Sequence, residues 1–183
     1  HSVLEQVCYG FKACHDKGLS PVPVSVNLSG IEFKRPDLVD KIAGILSKTG
    51  VNPKFIELEL TESVVIGNTK VAIQRMHDLK SLGLKLSMDD FGTGFSSLSY
   101  LKEMPLDVLK IDQSFVRNLG SEESSRAIVK SIFALAHGLG MDTVAEGVET
   151  DTQFEFLKQQ QCQKFQGFLF SRPIPAEDFF NIM

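Results

Sequence analysis

The sequence predicts an α/β fold of the (β/α)8, TIM-type barrel class, on three observations. Short apolar runs alternate with segments of helical periodicity, neither GxGxxG nor GxxxxGK[ST] occurs, and the apolar runs end in polar or ionisable groups. Alternation by itself fits a doubly wound sheet equally well. The polar endings favour the barrel, because its strands bring their C-terminal ends to one rim, whereas an open sheet spreads them along a line.

The apolar runs are PVPVSVNLS, FIELELTES, LKLSMDD, DVLKID, MDTVAEG and KFQGFLFS. Each is rich in Val, Ile, Leu or Phe and bounded by turn residues, as buried strands are. Between the first and second, Leu38, Ile42, Ile45 and Leu46 repeat at helical spacing before Gly50 stops the helix. Ala72, Met76 and Leu79 form a second stripe ahead of Gly83. Ile128, Ile132, Leu135 and Leu139 form a third, opened by Glu122 and Glu123 and closed by Gly140. Phe154 and Leu157 mark a shorter helix after Asp151. The first five runs finish in turn at Asn27, at Glu59 and Glu62, at Asp89 and Asp90, at Lys110 and Asp112, and at Glu146.

Bulk properties narrow the function. A chain of 183 residues, 43% hydrophobic, has enough apolar material for the core of one domain. A net charge of −4 with no Lys/Arg run argues against binding long nucleic acid. No apolar stretch reaches membrane-span length, and nothing at the start reads as a signal peptide. Cys8, Cys14 and Cys162 are an odd set without CxxC spacing, which points to idle thiols in a reducing compartment. The four scattered histidines join no ligand pattern.

Carboxylates gathered at a partly dry rim repel one another, so they must be protonated, paired or bound to metal. Lys110 is the single cation among these strand-end residues. Asn and carboxylate oxygens are hard ligands suited to Mg²⁺ or Mn²⁺, whereas zinc sites recruit His or Cys. Adjacent Asp89 and Asp90 suit two cations roughly 3.5–4 Å apart, an arrangement that handles phosphate esters. Each residue also has a plainer reading. A Glu at a strand end is usually solvated, Gly92 and Gly94 can simply make a turn, and Asn27 can cap one. What favours function is the conjunction, since the plain readings must be invoked five separate times.

With those residues in place, the chain resembles the EAL domain family, the cyclic-di-GMP phosphodiesterases of bacterial signalling. VSVNLS, ELELTES, MDDFGTGFSSL, LKID, TVAEGVET and QGFLFSRPIP match its motifs in order, from about Val24 to Pro175. The resemblance implies a modified barrel that hydrolyses cyclic-di-GMP to the linear dinucleotide pGpG with two Mg²⁺ or Mn²⁺ ions. It implies metal ligands at Asn27, Glu59, Asp89, Asp90 and Glu146, with Lys110 and Glu146 catalytic. It further implies that Glu62 anchors the loop around Thr93, and that Asp112, Glu149 and Gln166 serve substrate or loop at the same rim.

The family's Glu-Ala-Leu tripeptide, which carries another metal-binding glutamate, does not occur in this sequence. The expectation is therefore an N-terminally incomplete barrel, part of a longer multidomain signalling protein with upstream sensory or GGDEF-type domains. This chain alone is expected to turn over substrate poorly and, through its exposed strand edges, to form a homodimer. The expected location is the cytoplasm, with membrane anchoring of the parent protein left open. A non-catalytic cyclic-di-GMP receptor is the alternative function. An enolase-like barrel and a purely structural module fit the motifs less well.

Overall fold

A computed structural model describes residues 3–16, 18–65, 68–92, 98–120 and 122–182 of the chain. Two compact units emerge. One comprises His1–Leu60, Val64–Leu86 and Pro173–Met183, and the other Thr61–Ser63 and Ser87–Arg172. The expected alternation is present in both, and every registered strand pair is parallel and joins strands consecutive in the chain.

The first unit opens with α1 (Val3–Asp16), β1 (Val24–Asn27), the one-turn α2 (Gly30–Phe33) and α3 (Leu38–Thr49). Ser29 starts α2 with a capping box, accepting from the Glu32 amide while the Glu32 carboxylate accepts from the Ser29 amide. The stripe Leu38, Ile42, Ile45 and Leu46 is buried as its spacing requires. Gly50 then ends α3 at φ 70°, a left-handed conformation that a Cβ would resist. β2 (Ile56–Thr61) follows a short 3₁₀ turn and pairs with β1 from Val24↔Ile56 to Asn27↔Glu59. α4 (Thr69–Ser81) buries Ala72, Met76 and Leu79, and its Arg75 guanidinium donates to the carbonyl oxygen of Phe33.

β3 (Lys85–Phe91) leads into the second unit, followed by α5 (Leu98–Leu101), β4 (Val108–Ile111), α6 (Gln113–Arg117) and α7 (Glu123–Gly138). Then come β5 (Asp142–Ala145), α8 (Asp151–Gln159) and β6 (Lys164–Phe165), and finally α9 (Ala176–Ile182), which belongs to the first unit. β4 is buried at all four positions, as a strand covered on both faces should be.

Two expectations need correction. The buried face of α7 is Ser125, Val129, Ile132, Phe133 and Ala136, while Ile128 is 43% exposed. The apolar stripe of α7 is wide enough to allow either phase, and packing against α6, β4 and β5 selects the one through Val129. KFQGFLFS is a strand for two residues only. Gly167 lies so close to the Val148 backbone that a Cβ there would stand 2.1 Å from the Val148 oxygen, and Phe170 N then closes a turn onto the Gly167 carbonyl.

Candidate active site

In a regular strand Asp89 and Asp90 would point to opposite faces. They do not share that fate here, because β3 carries a bulge. Met88 pairs with Leu109 and Phe91 with Ile111, so two residues of β3, Asp89 and Asp90, stand against the single Lys110 of β4. Asp90 takes up the extra residue at φ 53°, a left-handed conformation that Asp tolerates better than most side chains. The bulge turns both carboxylates toward one place. Oxygens of Asp89, Asp90 and Glu146 lie within 4.8 Å of one another.

Main-chain bonds carry the ladder past the formal strand ends and set Glu146 at the same height. Glu146 N donates to the Ile111 carbonyl (3.1 Å), Gln166 N to that of Ala145 (2.9 Å), and Val148 N to that of Gln166 (3.0 Å). Gly147 makes the approach possible, since at φ 67° a Cβ would come within 2.6 Å of the Gln113 Cβ.

Lys110 is almost fully buried, and its ammonium bridges Asp89 (2.8 Å) and Glu146 (2.6 Å). Asp89 Oδ1 is buried without a hydrogen bond of good geometry, so that ion pair is held by charge more than by direction. Asp112 caps α6, its Oδ1 accepting from the Ser114 amide (2.9 Å) and from the Ser114 hydroxyl. Asp90 is exposed at the rim, but the partial desolvation of its carboxyl pushes it above the ordinary Asp range, and the charges of Asp89 and Asp112 push the same way. Asp112 is held below that range: burial opposes its charge, but the hydrogen bonds it accepts, led by those from the Ser114 hydroxyl and amide, together outweigh burial.

Glu62 begins a 3₁₀ turn just beyond β2, where its Oε1 accepts from the Gly92 amide at 2.9 Å. It thus ties down the start of the loop that follows β3. Thr93, the other loop residue named from sequence, lies outside the described residues. Glu149 is exposed and its amide donates to Gln153, while Gln166 is exposed and contributes through its backbone. Asn27 and Glu59 belong to the first unit, opposite one another in the β1–β2 register, with Glu59 buried.

Sequence reasoning passed over Ser114, Gly147 and Gly167. The cap residue Asp112 was legible as an Asp at a helix start, but nothing in the sequence marks Ser114 itself. The glycines acquire meaning only from what packs against them.

Among the described residues the arrangement offers oxygen donors, three carboxylates around one ammonium, with a fourth carboxylate adjoining. Such a set fits a hard divalent cation, which would favour the charged form of Asp90 against both desolvation and the repulsion of its acidic neighbours.

Comparison with known proteins agrees on one family. The family model described as EAL domain matches residues 1–173. The cyclic di-GMP phosphodiesterase NbdA of Pseudomonas aeruginosa is 40% identical over 173 residues, which are 94% of this chain and 22% of that protein. The structure of the PaMucR phosphodiesterase in a c-di-GMP complex superposes at a TM-score of 0.91 with 40% identity, over 97% of this chain and 72% of that one. Klebsiella pneumoniae BlrP1, in a manganese/cy-diGMP complex, superposes at 0.80 with 34% identity, over 93% and 44%. The chain spans about a fifth of the length of the curated relatives it matches.

Proposed function

The chain belongs to the EAL domain family, and from that premise we propose that it is a cyclic-di-GMP phosphodiesterase yielding the linear dinucleotide pGpG. The observation that carries the reading is the β3 bulge, which sets Asp89 and Asp90 beside Glu146 around the buried Lys110. A strand needs no such bulge to stay folded, whereas a site that must present two adjacent carboxylates does.

Asp89, Asp90 and Glu146 would hold the divalent cations, Mg²⁺ or Mn²⁺, two in number on this reading. Bound there, the cations supply Lewis-acid charge that neutralises the scissile phosphate and acidifies the attacking water. The chain's own groups do the rest. Lys110 fixes Asp89 and Glu146 and places an ammonium where negative charge accumulates as the ester bond breaks. Glu146 is assigned to the attacking water on the motif match, its carboxylate standing in the acidic cluster beside Lys110. Glu62 sets the start of the loop after β3 through Gly92. For Asn27 and Glu59 the support is the motif match together with their shared face on β1 and β2. Asp112, Glu149 and Gln166 are assigned to substrate and loop positioning, again on the motif match. A GGDEF-type domain in a longer cytoplasmic signalling protein, and a homodimer, are the partners this reading implies.

The test is chromatography of products after incubating the chain with cyclic-di-GMP and Mg²⁺ or Mn²⁺. Slow formation of pGpG is expected, abolished by chelation and reduced by about two orders of magnitude in Glu146→Gln. Binding without metal-dependent turnover in this chain and in one extended upstream would make the domain a receptor. Turnover indifferent to chelator would refute the site.

A further inference from the structure

We infer that Gln153 is a positioning residue for Glu149, holding the end of the loop between β5 and α8; the inference rests on the reading of Glu149 as a substrate residue given above. Gln153 is 7% exposed, and its side chain turns back from the first turn of α8 onto two main-chain amides. Its Oε1 accepts from Thr150 N at 3.0 Å and from Glu149 N at 2.8 Å. Two N–H donors meet at one atom, so that atom is the oxygen of the side-chain amide and not its nitrogen. The bond from Thr150 completes a capping box, in which the Thr150 hydroxyl accepts from Gln153 N at 3.3 Å. That box is what the start of α8 requires. The shorter bond, from Glu149, reaches a residue outside the helix. It adds nothing to the box and fixes the residue that the motif assigns to substrate.

The earlier part of the loop is held by main chain. Glu146 N donates to the Ile111 carbonyl and Val148 N to that of Gln166, while Leu169 N closes on the Val148 carbonyl at 3.0 Å. Val148 is buried and lies against Gly167, and Glu146 is gripped by the Lys110 ammonium as well. These anchors stand between Gln153 and the acidic cluster. Loss of the Gln153 oxygen therefore frees Glu149 and Thr150 and leaves Glu146 in place. Carbonyls of the main chain survive any substitution, whereas the Gln153 oxygen does not, so the division of labour can be tested.

The experiment compares wild type with Gln153→Met, Gln153→Glu, Thr150→Ala and Glu149→Ala, with Tm recorded for each. Amide hydrogen exchange is followed by NMR, Mn²⁺ binding by calorimetry without substrate, and KM and kcat for cyclic-di-GMP in Mn²⁺. Met keeps the length of Gln and removes the acceptor, so exchange at Glu149 and Thr150 should rise about tenfold while Val148 stays protected. kcat/KM should fall about tenfold, carried by KM, with Mn²⁺ affinity within about twofold of wild type. Gln153→Glu returns an acceptor to both amides and should recover kcat/KM. Thr150→Ala removes the hydroxyl half of the capping box and leaves the Gln153 oxygen, so it should lower Tm without raising KM. In a Glu149→Ala background, Gln153→Met should add no further loss of kcat/KM. Should Gln153→Met fail to fold, Gln153→Asn, whose amide falls one carbon short of Glu149, carries the same expectation. A kcat/KM within about twofold of wild type in Gln153→Met, with Glu149→Ala clearly impaired, would overturn the inference and leave the proposed function standing. Equal losses of kcat/KM in Gln153→Met and Thr150→Ala would also overturn it, since they mark plain helix capping. So would a clear fall in Mn²⁺ affinity in Gln153→Met, which marks a slackened Glu146. Full activity in Glu149→Ala would refute the assignment of Glu149 and the inference with it. A wild type that neither binds Mn²⁺ nor turns over substrate would refute the proposed function itself.

Discussion

Lys110→Met tests the electrostatic account of the cluster most directly, because Met keeps an unbranched apolar stem of similar length and removes the ammonium. The Lys110 side chain is 5% exposed, and the carboxylates it contacts at 2.8 and 2.6 Å are 14% and 16% exposed. At an effective dielectric constant of about 20, each contact carries a gross attraction of about 6 kcal/mol. Desolvation takes back several kcal/mol per ion, so gross attraction overstates the net effect. The relevant quantity is the cost of leaving two carboxylates unpaired, about 3–5 kcal/mol when one partner of a buried pair is removed. For a chain of this length that corresponds to a fall in Tm of roughly 10 °C. Urea and thermal unfolding in EDTA at neutral pH give the measurement. Mg²⁺ should return part of the lost stability, since it binds the folded site and not the unfolded chain. A Lys110→Met variant within about 1 kcal/mol of wild type at neutral pH in EDTA would refute the reasoning.

Asp90→Asn should raise the Tm of the metal-free chain at pH 8 while abolishing turnover. The Asp90 carboxyl titrates high because burial and its acidic neighbours penalise its charge, so its cost to folding exists above the raised pKa. The Tm difference should close as pH falls, and a variant less stable than wild type at pH 8 would contradict this. Gly147→Ala combines a left-handed φ of 67° with a Cβ placed 2.6 Å from that of Gln113. A loss of about 2–3 kcal/mol in urea unfolding is expected, with turnover falling further than stability because Glu146 must move.

The sequence by itself determined the order of elements, the helix stops and the identity of the polar residues that end each strand. These are local properties. Period 3.6 or period 2, a glycine at φ 70°, and an Asp or Ser at a cap are all written within a few residues of where they act. It also carried the motif order, because each motif is a short run in which spacing and residue type suffice. Three things were decided only by the tertiary structure. The phase of α7 depended on which of two apolar flanks, Ile128 or Val129, met β4 and β5. The shortening of β6 depended on Val148 lying against Gly167. Above all, the meeting of Asp89 with Asp90 depended on a bulge, since alternation along β3 would have parted them. A bulge is a mismatch in count between two strands distant in the chain, Met88 to Phe91 against Leu109 to Ile111. Neither strand read alone contains it, because the extra residue is extra only relative to its partner.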